Sequence, residues 1–126
     1  MSHSALRVVD YLEHIVQAVE RIHKYTNNLD EAAFKASDMV QDAVIRNFEI
    51  IGEASGNIMR IDRAFLDRYP ELPLRFAYDM RNQLSHGYFT VDLGIVWRTA
   101  CRHLPMLGDQ IKAMADAIRA DDAAPS

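Results

Sequence analysis

Residues 37–60, SDMVQDAVIRNFEIIGEASGNIMR, decide what kind of molecule this chain forms. Ser37 or Asp38 is a suitable helix N-cap, and Gln41 stands where a capping box with Asp38 would need it. From there to Arg60 nothing breaks the helix. Val40, Val44, Phe48, Ile51 and Ile58 share one face, while Ile45, Ile50 and Ala54 carry apolar surface further round the cylinder. That arc is wider than one core contact requires. Gly52, Ser55 and Gly56 are small enough to let another backbone come close. The pattern predicts a long helix with one face on the core and one on a partner copy.

The flanking segments carry the same period. Ser2 or Ser4 can cap a first helix running to about Lys24, with Leu6, Val9, Leu12, Ile15 or Val16, Val19 and Ile22 forming a stripe at steps of three and four. His14 and His23 lie on it without a visible ligand partner and read as surface residues. Thr26-Asn27-Asn28 interrupts the pattern, and Asp30 can cap a short turn through Ala33 and Phe34. Past Arg60, residues 62–68 read as a short helix ended by Tyr69-Pro70, and Pro73 suits the first turn of the next helix. Asp92 can cap a final long helix whose stripe runs from Trp97 to Ile118, with Trp97 as a core anchor. Pro105 removes a backbone donor there and should kink or split it. No strand pattern, repeat or glycine-rich phosphate loop is present. The expectation is an all-α, up-and-down bundle forming a single domain over 1–120, with a frayed tail over 121–126.

Composition narrows the classes. A chain of 126 residues with 49% hydrophobic and 25% charged residues is an ordinary globular domain. No apolar run approaches the length of a membrane span, and no secretion signal is visible, so a cytoplasmic protein is expected. The one cysteine, Cys101, cannot make an internal disulfide, and no Cys/His spacing suggests zinc, so neither metal nor cofactor is expected. The net charge of −4 argues against a broad grip on nucleic acid. Its distribution softens that objection: residues 60–103 hold seven Arg against five acids, a local +2 that leaves −6 elsewhere.

Residues 80–88, MRNQLSHGY, gather the chemistry. At 100° per residue, Phe76, Ala77, Met80 and Leu84 fall within one apolar arc, while Arg81, Asn82, Ser85 and His86 lie opposite. Gly87 is a common helix terminator, so Tyr88 would hang just past the end. Arg presents a permanently charged fork of donors matched to phosphate oxygens. His takes or gives a proton near neutrality. Together they suit attack of an RNA 2′-hydroxyl on its own phosphate, with His86 moving protons, Arg81 neutralising the intermediate, and Asn82 and Ser85 orienting the phosphate or the imidazole. Such a path needs no metal. The competing reading is a solvated helix face with Arg and His on it by accident of spacing.

Arg81-Asn-Gln-Leu-Ser-His86-Gly-Tyr88 matches the Arg-x4-His-x-Tyr signature of the HEPN ribonuclease superfamily. Residues 41–54 (QDAVIRNFEIIGEA), 70–73 (PELP), 86–97 (HGYFTVDLGIVW) and 104–107 (LPML) resemble, in that order, the HepT-like toxins of HepT–MntA type VII toxin–antitoxin modules. The resemblance covers residues 5–115. It implies an all-helical HEPN-like homodimer with two Arg-His motifs in a shared cleft, and leaves room for a larger assembly with the antitoxin. It also implies metal-independent RNA cleavage with Arg81 and His86 catalytic and Asn82 supporting. The implied partner is an MntA-like nucleotidyltransferase antitoxin that adds AMP to the motif tyrosine, here Tyr88. Leu74 stands where relatives often have Trp and Asp79 where Gly is frequent. Asp79 would put a carboxylate near the motif arginine, in competition with substrate phosphate. The alternative within the same resemblance is a non-catalytic helical dimer acting as binding subunit for the nucleotidyltransferase.

Overall fold

The computed structural model describes residues 3–70, 74–85 and 92–123. Every element among them is helical: α1 (His3–Thr26), α2 (Glu31–Lys35), α3 (Asp38–Ile61), α4 (Phe65–Arg68), α5 (Leu74–Ser85), α6 (Leu93–Arg98) and α7 (Leu104–Ala123), with a π-helical turn at Thr99–His103 joining the last two. The all-α expectation holds. Pairings across the helices show the up-and-down order. Arg7 and Tyr11 border the same depression as Asn57 and Arg60, whereas His14 meets Ala54, so α1 and α3 run antiparallel. Gly56 lies under Tyr78 and Gly52 under Arg81, so α5 reverses again. Glu13 pairs with Arg119, and Val19 meets Gly108, which sets α7 antiparallel to α1.

Apart from Leu6, which is exposed, the apolar stripes read from the sequence pack in or against the core. Leu12, Ile15 and Ile22 of α1, Val44, Phe48, Ile51 and Ile58 of α3 and Ile111 of α7 are buried in one cluster. Helix α3 sits between α1 on one side and α5 on the other, and α1 also packs on α7. Burial of this kind, at about 25 cal/mol per Å² of apolar surface, is what holds helices whose mean hydropathy is near neutral. Trp97 is half-buried and packs on Phe34 with ring centroids 5.4 Å apart, the anchoring role expected of it. His14 and His23 are exposed.

The caps follow the expected chemistry, with one change. Asp30 accepts a bond from Ala33 N at 2.8 Å, and Asp92 accepts from Gly94 N at 2.9 Å and Ile95 N at 3.2 Å. Ser37, not Asp38, caps α3, accepting from Val40 N at 3.2 Å. A capping box would then need residue 40, so Gln41 does not form one. Its Nε2 instead donates to the carbonyls of Phe34 and Lys35, each at 3.0 Å, and ties the end of α2 to the start of α3. Ser2, the side chain of Ser4 and Pro73 lie outside the described residues. Helix α1 runs two residues past Lys24, because Thr26 turns its hydroxyl back to the Ile22 carbonyl at 2.8 Å and is buried. Helix α7 runs to Ala123, so 121–123, expected to fray, continue the helix through residues that tolerate it.

Pro105 has the consequence expected of it, in a specific form. An unbroken α-helix would press the proline ring on the Cys101 carbonyl and leave that acceptor unpaired. The chain widens instead into the π turn, with Leu104 N donating to the Thr99 carbonyl five residues back and Thr99 Oγ1 donating to Ile95 O at 2.8 Å. The last helix is thereby divided one residue before the proline.

Three buried polar side chains answer to their own helices: Thr26 as above, Ser55 Oγ donating to Ile51 O at 2.7 Å, and Asn47 Nδ2 donating to Ala43 O at 2.8 Å. The Asn47 Oδ1 is buried without a hydrogen-bond partner, a condition that costs about 1–3 kcal/mol. Asn47→Leu keeps the volume and removes the orphaned acceptor. Chemical denaturation should show this variant more stable by about 1 kcal/mol with an unchanged m-value; a loss of stability would mean that the oxygen has a partner in solution.

Candidate active site

The arginine of the 80–88 segment is placed by two glycines. A Cβ on Gly52 would stand 2.3 Å from the Cβ of Arg81 and 2.6 Å from the carbonyl oxygen of Ala77. A Cβ on Gly56 would stand 2.7 Å from the ring of Tyr78. No side chain fits at either position while α5 stays where it is. This corrects the sequence reading, which assigned the small residues of α3 to a partner copy. The backbone they admit is α5 of the same chain, and the physical reason is register: successive turns of α3 meet Arg81 and then Tyr78.

The same contact brings the stem of Arg81 onto α3. Leu74 and Ala77 are buried, Tyr78, Met80, Arg81 and Asn82 are half-buried, and Arg75, Asp79 and Gln83 are exposed. Of the expected apolar arc, Ala77 is buried and Met80 half-buried, while the side chains of Phe76 and Leu84 lie outside the described residues; Leu74 and the stem of Arg81 add to the packed surface. Arg81 lays its aliphatic stem on α3 and keeps its charged head beyond it, as long cationic side chains commonly do. Its Nη1 donates to Asn82 Oδ1 at 3.1 Å, so the neighbouring amide restrains the guanidinium. Asp79 is exposed, and among the described residues no carboxylate forms an ion pair with Arg81. The competition expected from Asp79 is absent from this arrangement.

Beside this helix, on the side away from Arg81, α5 and the last helix splay apart over α3. They leave a cavity of ≈ 290 Å³ bordered by Phe48, Ile51, Ala77, Met80, Thr99 and His103. Met80 of the motif thus faces an apolar space, with Thr99 and His103 of the π turn supplying its polar edge. Those two were missed from the sequence; the signal that could have found them is Pro105, which forces the wide turn that carries them. Of the other expected site residues, Ser85 is the last residue of α5, with its side chain outside the described residues. His86 and Tyr88 lie outside them altogether. Among the described residues no group of three or more His, Cys, Asp or Glu is placed to hold a metal ion. No helix of the described residues is long and apolar enough to cross a membrane. Partial burial pushes the Cys101 thiol pKa up, which disfavours the thiolate and any nucleophilic role.

The described helices thus form an antiparallel bundle in which α5 seats Arg81 on the small residues of α3. The model of the family described as HepT-like, Ribonuclease HepT-like, matches residues 15–114, and the chain belongs to that family. Among curated proteins it is 42% identical over 98 residues to "Probable ribonuclease HepT" of Thermococcus cleftensis, covering 78% of this chain and 86% of that one. It is 40% identical over 101 residues to "Gamma-glutamylcyclotransferase and putative RNase" of Methanocaldococcus jannaschii, covering 80% of this chain and 44% of that longer protein. It is 32% identical over 102 residues to "Putative RNase" of Caldanaerobacter subterraneus subsp. tengcongensis, covering 81% and 88%. No solved structure gives a significant match.

The glycine seat is open to test. In Gly52→Ala the added methyl meets a backbone carbonyl, which cannot rotate away. Overpacking costs about 1–3 kcal/mol, and the better helix propensity of Ala returns up to about 1 kcal/mol. Denaturation should show a net loss of about 1–2 kcal/mol; a gain in stability would mean that α5 does not sit on Gly52.

Proposed function

We propose that the chain is a metal-independent endoribonuclease, the toxin of a two-component module, with Arg81 and His86 as its catalytic pair. The observation that carries this reading is Arg81 itself: a fixed cation, restrained by Asn82 and held at the α3–α5 groove with no carboxylate paired to it among the described residues, in a chain of a ribonuclease family. A lone positive group held ready in a partly desolvated position suits the charge that develops on a phosphodiester in transit.

The reaction balances without a co-reactant. The 2′-hydroxyl oxygen forms a bond to the adjacent phosphorus, the bond from phosphorus to the 5′-oxygen breaks, and the products are a 2′,3′-cyclic phosphate and a 5′-hydroxyl end. His86 accepts the proton of the 2′-hydroxyl and returns one to the leaving oxygen. Arg81 bears on the non-bridging oxygens, with Asn82 and Ser85 orienting phosphate or imidazole. A homodimer would bring two such motifs to one cleft; with Gly52 and Gly56 occupied within the chain, its interface must use other surface.

Control falls to Tyr88. In the proposed modification its phenolic oxygen attacks the α-phosphorus of ATP and pyrophosphate leaves, under the action of an MntA-like nucleotidyltransferase. The attached AMP carries a negative phosphate that can pair with Arg81 as substrate would.

Purified protein should cut RNA in excess EDTA and leave cyclic phosphate ends. Arg81→Ala and His86→Ala should each lower kcat by at least about 100-fold while retaining the circular dichroism of the parent. Cleavage that requires magnesium, or that survives both substitutions, would contradict the assignment. If the parent cuts nothing yet binds the nucleotidyltransferase, the chain is a binding subunit instead.

Tyr88→Phe keeps the ring and removes the acceptor oxygen. Incubated with the partner and ATP, the parent should gain the mass of one AMP and lose activity, whereas the variant should do neither. Modification at another residue, or equal silencing of the variant, would overturn the role of Tyr88.

A further inference from the structure

A second cationic feature lies along α3 from Arg81, and the catalytic reading leaves it unused. Arg7 and Tyr11 of α1 and Asn57, Arg60 and Ile61 of α3 border a depression of ≈ 350 Å³. Both arginines are exposed, and among the described residues neither forms an ion pair with an acid. Arg60 is not loose, however: its Nη2 donates to Asn57 Oδ1, which fixes the guanidinium and leaves the Asn57 amide N–H groups to point elsewhere. Among the described residues no carboxylate borders this depression. The acid nearest Arg60 in sequence, Asp62, pairs with Arg68; Asp10 and Glu13 border an adjoining depression that Arg7 and Tyr11 also line, and Glu53 borders one that Tyr11 and Asn57 also line.

The position matters as much as the charge. Arg60 Nη1 lies 3.8 Å, and the Tyr78 ring 2.7 Å, from the point a Cβ on Gly56 would occupy, so the arginine and the tyrosine flank one spot on α3. Arg81 stands on Gly52, one turn away. From the level of Gly52 to that of Arg60 is eight residues of helix, about 12 Å. Arg81, Tyr78 and Arg60 therefore succeed one another along α3, and Arg7 stands with Arg60 at the depression between α1 and α3.

We propose that Arg7 and Arg60, assisted by Asn57, form a second phosphate-binding subsite that holds the backbone of single-stranded RNA away from the scissile bond. The proposal rests on the reading of this chain as a ribonuclease. Two guanidinium forks and an amide match non-bridging phosphate oxygens, and their separation from Arg81 is that of a neighbouring stretch of the same strand. A chain with a net charge of −4 has little general attraction for RNA, so local cations of this kind must supply the contact.

The test is the salt dependence of binding, read on an uncleavable single-stranded 2′-O-methyl oligonucleotide by fluorescence anisotropy between about 50 and 200 mM salt. Each phosphate contact on a single strand contributes about 0.7 to the slope of log K against log salt. Arg7→Gln/Arg60→Gln should lower the magnitude of the slope by about 1.4 and weaken binding more than ten-fold at the low-salt end. Arg21→Gln/Lys112→Gln, which removes the same charge from other exposed positions, should keep the parental slope. Arg7→Lys/Arg60→Lys should restore most of it. A slope in Arg7→Gln/Arg60→Gln equal to that of the charge-matched control overturns the subsite. ATP is titrated in parallel: ATP binding that disappears in Arg7→Gln/Arg60→Gln while the oligonucleotide slope holds would make this a free-nucleotide site and overturn the RNA assignment. Cleavage by the parent is scored separately. A parent that binds through Arg7 and Arg60 but cuts nothing supports the subsite and removes the nuclease reading; one that cuts with an unaltered slope does the reverse.

Discussion

The contact between Gly52 and Arg81 is the constraint on which the candidate site depends. Two helices approach until a single methyl group would not fit, and the approach carries a charged residue into the interface by its stem. A bundle ordinarily closes on apolar side chains. Here α5 closes on α3 through Leu74, Ala77 and the aliphatic part of Arg81, with Tyr78 laid over Gly56. The arginine head is thereby delivered to a defined place at small entropic cost, since most of its side chain is already ordered by packing. A phosphate-binding arginine gains selectivity from such restraint, because the planar fork is pre-aimed when substrate arrives.

Much of this was legible in the sequence. The stripes of α1 and α3 followed from three-and-four spacing, and Asp30 and Asp92 declared themselves as caps because short acidic side chains before an apolar run have few other uses. Arg81 and Asn82 were legible as a polar pair on one helix. What stayed hidden has a common cause: periodicity reports how wide an apolar surface is, not which element covers it. Gly52 and Gly56 said that a backbone comes close, and only the fold says that it is α5 and not a second copy. For the same reason the packing of Arg81 on α3 was not legible, because Arg81 counts as polar although its stem packs. Pro105 announced a disturbance, but whether it became a kink or a π turn depended on backbone geometry that composition does not carry. The Arg7–Arg60 pairing joins residues distant in sequence and could not be read from spacing.

Charge distribution links these parts. The chain is acidic overall, yet the α3–α5 groove presents Arg81 and Arg60 without paired carboxylates among the described residues, and Arg7 joins them from α1. On the proposed reading, a molecule built this way avoids general adhesion to nucleic acid while keeping cations where the strand would lie. The last helix contributes differently: its π turn, required by Pro105, sets Thr99 and His103 at the edge of an apolar cavity on the other side of the motif helix.

The most direct measurement of the central claim is the RNA cleavage rate of Gly52→Ala at a temperature well below its own unfolding midpoint, where the variant is fully folded. If the glycine seat aims Arg81, the added methyl moves the guanidinium although every catalytic group is intact, and kcat should fall by about ten- to 100-fold. A folded Gly52→Ala that cuts RNA at the parental rate would contradict the account, because Arg81 would then be placed by something other than the contact between α3 and α5.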